Sequence, residues 1–230
     1  MLLLRLNGGC LKKFLDLITC TAIQVLAACA FSVFQMIEMI TRENTRSVTV
    51  TWLIFAEIFV IINFIFSWRA YAEKANPKIK SALYVYFIYM VLIAPTIIVA
   101  IYRCELTVRD AWVSVFIVVS MIVFVVIRKM SGIKISNDAF SRGFLVGLLR
   151  VVPHLFQAYT MFLAKTIPGI HPITIVAANF TASVRALTLF QACRQENWNK
   201  KSATSFWAEF LNEASWLIVT FVWMYYRFRT

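Results

Sequence analysis

The stretch "LLRVVPHLFQAYTMFLAKTIPGIH", Leu148 to His171, is apolar enough for a membrane yet carries Arg150, Pro153, His154 and Gln157 within eight positions. A guanidinium at mid-bilayer costs at least about 2.5 kcal/mol, so such groups pair or face water. More polar groups follow in the next apolar runs: Asn179 and Arg185, then Glu209, Asn212 and Glu213. Arg150 lies eight residues inside Arg142, roughly 12 Å along a helix. Arg185 lies about as far from its own end, and Glu209 and Glu213 lie five and nine residues beyond Thr204. Arg150, Arg185, Glu209 and Glu213 therefore share one half of the bilayer. Three readings are open: an Arg/Glu clasp locking helices, a polar cavity for a solute or anion, and snorkelling to headgroups. Gln157, Asn212, Asn179 and Arg150 are the pocket or ligand candidates. Pro153 is a hinge that opens space beside them.

Enzyme chemistry has less to work with. The two histidines, His154 and His171, lack HExxH or any paired spacing, and no GxSxG, Walker loop or dinucleotide fingerprint occurs. Neither a nucleophile with its base nor a metal-ligand set can be assembled, so no catalytic residue, metal or cofactor is expected. Cys10, Cys20, Cys29, Cys104 and Cys193 form no CxxC and imply no disulfide framework.

The elements that must position these groups follow from composition. Hydrophobic residues make up 61% of the 230 and mean hydropathy is +0.76, whereas soluble chains are about 45–50% apolar. An integral membrane protein is implied. Apolar runs of about 20 residues cross a bilayer, and seven are read: 14–40, 48–71, 79–102, 109–130, 139–163, 171–192 and 204–226. Short connectors separate them, among them "TRENTRS", "EKANPKIK" and "CRQENWNKK". Helices are the expected spanning element, because β-barrel alternation is absent. Trp112, Trp207, Trp216, Trp223, Tyr225 and Tyr226 read mostly as interfacial anchors.

With the N-terminus cytoplasmic, fourteen Lys and Arg flank the inside and seven the outside. This bias predicts N-inside and C-outside in a bacterial inner membrane. The net charge of +12 is then a topology signal, and no nucleic-acid partner is expected. The opening "MLLLRLNGGCLKK" fits neither a lipoprotein signal nor a cleavable leader, since its apolar run is too short.

The segments repeat. Phe34-Gln35 returns as Phe156-Gln157 after 122 residues, Lys80-Ser81-Ala82 as Lys201-Ser202-Ala203 after 121, and Tyr102-Arg103 as Tyr226-Arg227 after 124. Two parallel three-helix repeats are predicted, 1–103 and 139–230, joined by a linker helix within 104–138. This 3+1+3 plan resembles the SWEET sugar transporters and the related PQ-loop proteins. Their Pro-Gln pair is matched by Phe156-Gln157, and their Lys-Ser-x-x-Gly-Leu-Ser element by Lys165-Thr166-Ile167-Pro168-Gly169-Ile170-His171. In the first repeat only Gln35 survives, and "TRENTRS" has neither the lysine nor the glycine. The resemblance implies that Asn212 is the pocket asparagine of the second repeat, with Met90 in the corresponding region of the first. It also implies an N-terminus outside, against the basic-residue bias.

Two functions fit: a facilitator passing a small polar solute through a central pocket, or a non-transporting subunit of a larger bacterial assembly such as a secretion system. The partners implied are the lipid bilayer with either a solute, or other membrane subunits or copies of the chain.

Overall fold

Long runs of Val, Ile, Leu and Phe with few glycines leave the backbone no way to satisfy itself in lipid except as helix. The computed structural model describes residues 2–229 apart from 43–44, 46–47, 74, 76, 105, 136–137, 166, 168, 196 and 199. Side chains are described from residue 21 onward, except additionally at 70, 77–79, 81, 139, 142, 188, 191–192, 195, 200–202 and 205. Of the repeat match, the side chains of Ser81, Lys201 and Ser202 thus lie outside the described residues. So do Thr166 and Pro168, and several of the counted basic residues, including Arg5, Lys12, Arg46, Lys74 and Arg142.

The chain is 88% helical, with no strand among the described residues. In order come α1 (Leu2–Thr41), α2 (Val50–Glu73), α3 (Pro77–Arg103) and α4 (Val108–Met130), then α5 (Ala139–Val146), α6 (Val152–Ala164), α7 (Pro172–Gln195) and α8 (Lys200–Arg227). A π-helical turn, Gly147–Val151, joins α5 to α6, so these form one interrupted helix and the described helices number seven. Thr107 opens α4 in a capping box with Asp110, which satisfies two end donors at once. Asp138 caps α5 through the Ser141 amide.

Among the described residues five stretches are long and apolar enough to cross a membrane: Thr21–Thr41, Val50–Glu73, Ala82–Arg103, Val108–Met130 and Gly143–Ala164. The expected spans at 171–192 and 204–226 are present as α7 and α8, but only Pro172–Leu187 of α7 reads as a further, shorter apolar helix. Asn179, Arg185, Glu209, Asn212 and Glu213 lie on these two helices.

Because the helices alternate in direction, connectors 42–49, 104–107 and 165–171 gather at one end, here called the clasped end. Connectors 74–76, 131–138 and 196–199 lie at the other, the basic end. In the first half α3 packs on both α1 and α2, which barely touch each other. In the second half α8 packs on α5, α6 and α7, while α6 and α7 barely touch. Between the halves, α1 meets α7, and α2 meets the π-turn and α6. The main core, with Met39, Val50, Leu53, Met161 and Val219 fully buried, draws on both halves near the clasped end. A second cluster packs α4 through Ile117 against Phe55, Phe59 and Leu149.

Candidate functional site

The clasped end is shut by polar contacts that cross between the halves. Gln35 on α1 is fully buried, and its amide donates to the Gly169 carbonyl at 2.5 Å. Gln157 on α6, equally buried, accepts from the Thr49 amide at 2.9 Å and the Thr49 hydroxyl at 3.0 Å. Each glutamine thus reaches the connector that leads into the other half's second helix. Gly169 makes the close approach possible. Its φ is +92°, and a Cβ there would meet Val48 Cγ2 at 3.0 Å, so only glycine sits without strain. Arg103 closes α1 by donating to the carbonyls of Met39, Ile40 and Arg42. In the other half the Tyr226 hydroxyl donates to Phe162 O and the Trp223 indole to Ile170 O.

Beneath the clasp lies an aromatic layer. Phe31, Trp52 and Trp216 meet edge to face, with centroids 5.5–6.1 Å apart. His154 packs on Trp216 at 4.4 Å and shares a 2.8 Å hydrogen bond with the Ser215 hydroxyl. Below this layer, between the halves, is a cavity of about 40 Å³ lined by Phe31, Phe59, Tyr86, Tyr89, Arg150, Arg185, Asn212 and Trp216, among others. A vestibule of about 220 Å³ adjoins it and shares Phe59 and Tyr86. Its other lining residues, including Asn63, Ser67, Ala82, Gly143, Leu189 and Glu209, belong to the basic-end halves of their helices. The space therefore leads away from the clasp.

Of the four charged residues expected to cluster, Arg150 and Arg185 line the cavity and Glu209 the vestibule, Glu213 lines neither, and none forms an ion pair among the described residues. Among the described residues the ion pairs are Arg42–Glu38 and Arg128–Asp138. Arg185 donates instead to the Tyr86 hydroxyl at 2.6 Å, its guanidinium 5.5 Å from that ring's centroid. Arg150 lies 4.9 Å from the Phe59 ring centroid, and its Nε has no acceptor. Glu213 accepts from Ser183 at 2.8 Å, and Glu209 faces the Asn212 amide at 3.4 Å. The expected Arg185–Glu213 pair is thus replaced by neutral partners on α3 and α7. The Ser183 hydroxyl meets Glu213 Oε1 only, and Oε2 has no donor.

The pocket candidates divide. Arg150 and Asn212 line the cavity; Asn212 is only 2% exposed, with an Oδ1 that has no donor. Gln157 belongs to the clasp. Asn179 lies outside the cavity lining and ties α7 to α8 through its amide, donating to Thr220 Oγ1 at 2.7 Å and to the Ile175 carbonyl, while its Oδ1 has no donor. Pro153 is buried and follows the π-turn, in which the Val152 amide bonds Gly147 O. A proline ring cannot donate to the carbonyl four residues back, and widening the preceding turn accommodates the missing bond. His171 accepts the Ile173 amide at the start of α7. Trp216 and Tyr226 are buried where anchors were expected, because they serve the aromatic layer and the clasp. Sequence reasoning missed Trp52, Phe59, Tyr86 and Tyr89 as lining or sealing residues. In so aromatic a chain nothing sets them apart from lipid-facing rings. Among the described residues no group of His, Cys, Asp and Glu gathers as a metal site.

No family model matches the sequence, and no curated protein is significantly similar to it.

Proposed function

We propose that this chain is a membrane facilitator in which two parallel three-helix units, 1–103 and 139–230, enclose a path for a small polar solute. In this reading α4 is the linker helix, and the plan is the SWEET-like 3+1+3 arrangement. Several features support the two units. The third helix of each lies between its first and second. The paired glutamines Gln35 and Gln157 reach across reciprocally. Residues closing the third helix cap the first in both units. The basic-residue bias puts the clasped end outside and the vestibule toward the cytoplasm, so the conformation is inward-facing.

One observation carries the solute reading. Asn212 is buried with an unbonded carbonyl oxygen in a cavity that also exposes two guanidinium groups. An orphan of this kind costs about 1–3 kcal/mol, and among the described residues Asn212 Oδ1 and Arg150 Nε are the buried unbonded side-chain atoms whose residues line this cavity. A site that takes a ligand leaves them open. The test is flux in liposomes with a labelled panel of sugars, amino acids and organic anions. Uptake above empty liposomes that Asn212→Leu abolishes, with the variant still folded, supports the pathway. No flux for any solute, together with stable copurifying membrane proteins, overturns it in favour of an assembly subunit.

A further inference from the structure

The charges that line the cavity and its vestibule do not balance. Arg150 enters from the π-turn and Arg185 from α7, and neither has a carboxylate within ion-pair distance among the described residues. The vestibule contributes Glu209. Glu57 and Glu213 line neither space, and Glu213 is engaged by Ser183. Among the described lining residues the charges are thus two guanidinium groups and one carboxylate, so the walls of the space carry a net positive charge. The ring faces of Phe59 and Tyr86 and the Tyr86 hydroxyl offset part of the cost of that charge, but neutral groups do not replace the paired anionic acceptors a guanidinium prefers. Arg150 Nε accordingly lacks a partner.

We infer that the solute is a small organic monoanion, its carboxylate held between Arg150 and Arg185 and its apolar body along Phe59 and Tyr86 toward the vestibule. This rests on the solute-pathway reading above. Sizes agree. The central cavity, at about 40 Å³, holds on the order of three water-sized groups, enough for a carboxylate head. The body then needs the 220 Å³ beyond.

Benzoate and benzamide, alike in shape but not in charge, separate the possibilities. Equilibrium dialysis of each labelled probe against the full chain in neutral detergent micelles, corrected for empty micelles, reads their affinities. Benzoate is expected to bind at least about tenfold tighter than benzamide, and Arg150→Gln or Arg185→Gln to weaken benzoate by about tenfold. Glu209→Gln removes the opposing charge and is expected to tighten benzoate by about threefold or more, a gain that misfolding cannot produce. Equal binding of the two probes, no benzoate binding, or weaker binding in Glu209→Gln overturns the anion assignment. If any of these occurs while a neutral solute still crosses liposomes, the pathway stands and only the solute class is lost.

Discussion

The two ends of the bundle use their polar side chains in opposite ways. At the clasped end Gln35, Thr45, Gln157 and Arg103 bond mainly to backbone groups of a neighbouring segment, so the polar atoms are spent on holding connectors together. Toward the basic end Arg150, Arg185 and Glu209 meet aromatic rings, a tyrosine hydroxyl and an amide, and they face open space. One end is closed by its own backbone, and the other keeps open space beside its charges.

Removing the clasp is expected to give the largest change. Gln157→Leu strips the acceptor from the buried Thr49 amide and hydroxyl, and Gln35→Leu leaves the Gly169 carbonyl without that donor. Each is expected to cost about 1–3 kcal/mol, and the pair together more, in thermal unfolding of detergent-solubilised protein. The same double variant should let a membrane-impermeant thiol reagent reach a cysteine placed at Met161. If that cysteine stays protected, the glutamines do not control closure. A smaller effect is expected from Gly169→Ala, which forces a side chain onto a φ of +92° against Val48, at about 1–3 kcal/mol of strain. Wild-type stability in that variant would show that the connectors are not in tight contact.

The smallest effect lies at the basic end, outside the membrane-spanning segments. Hydrogen bonds from the Ser141 hydroxyl and amide, with Arg128 nearby, hold the Asp138 carboxyl below its usual range. A depressed native pKa means that this contribution is present above the unfolded value and lost as pH falls through the native one. Melting curves of wild type should therefore fall slightly more steeply than those of Asp138→Asn as pH drops below about 4. Parallel curves would remove Asp138 as a tie between α4 and α5.

Helix existence was legible because apolar runs of membrane length are unmistakable, and the level along the helices is why Arg150, Arg185 and Glu209 come to line adjoining spaces. Partner choice was not legible. Depth alone could not distinguish Glu213 from Tyr86 as the mate of Arg185, since a hydroxyl in a Tyr-rich helix carries no spacing signal. Nor could a single sequence tell Gln157 in a clasp from Gln157 in a pocket. That depends on whether Thr49, over a hundred residues away, comes within reach. The interruption of the 139–163 span was half legible: Pro153 announced a disturbance, but its form as a widened turn upstream needed coordinates.

That widened turn separates two registers on one helix. A π-turn accommodates about one residue more than the regular winding, so the segment before it is rotated by roughly 100° from where an uninterrupted helix would put it. The earlier half can therefore lay Gly143 so near α8 that a Cβ there would stand 3.3 Å from Thr204 Cγ2, while the later half aims Gln157 at Thr49. Excising one residue between Gly147 and Val151 would restore a uniform winding and force those two alignments to compete.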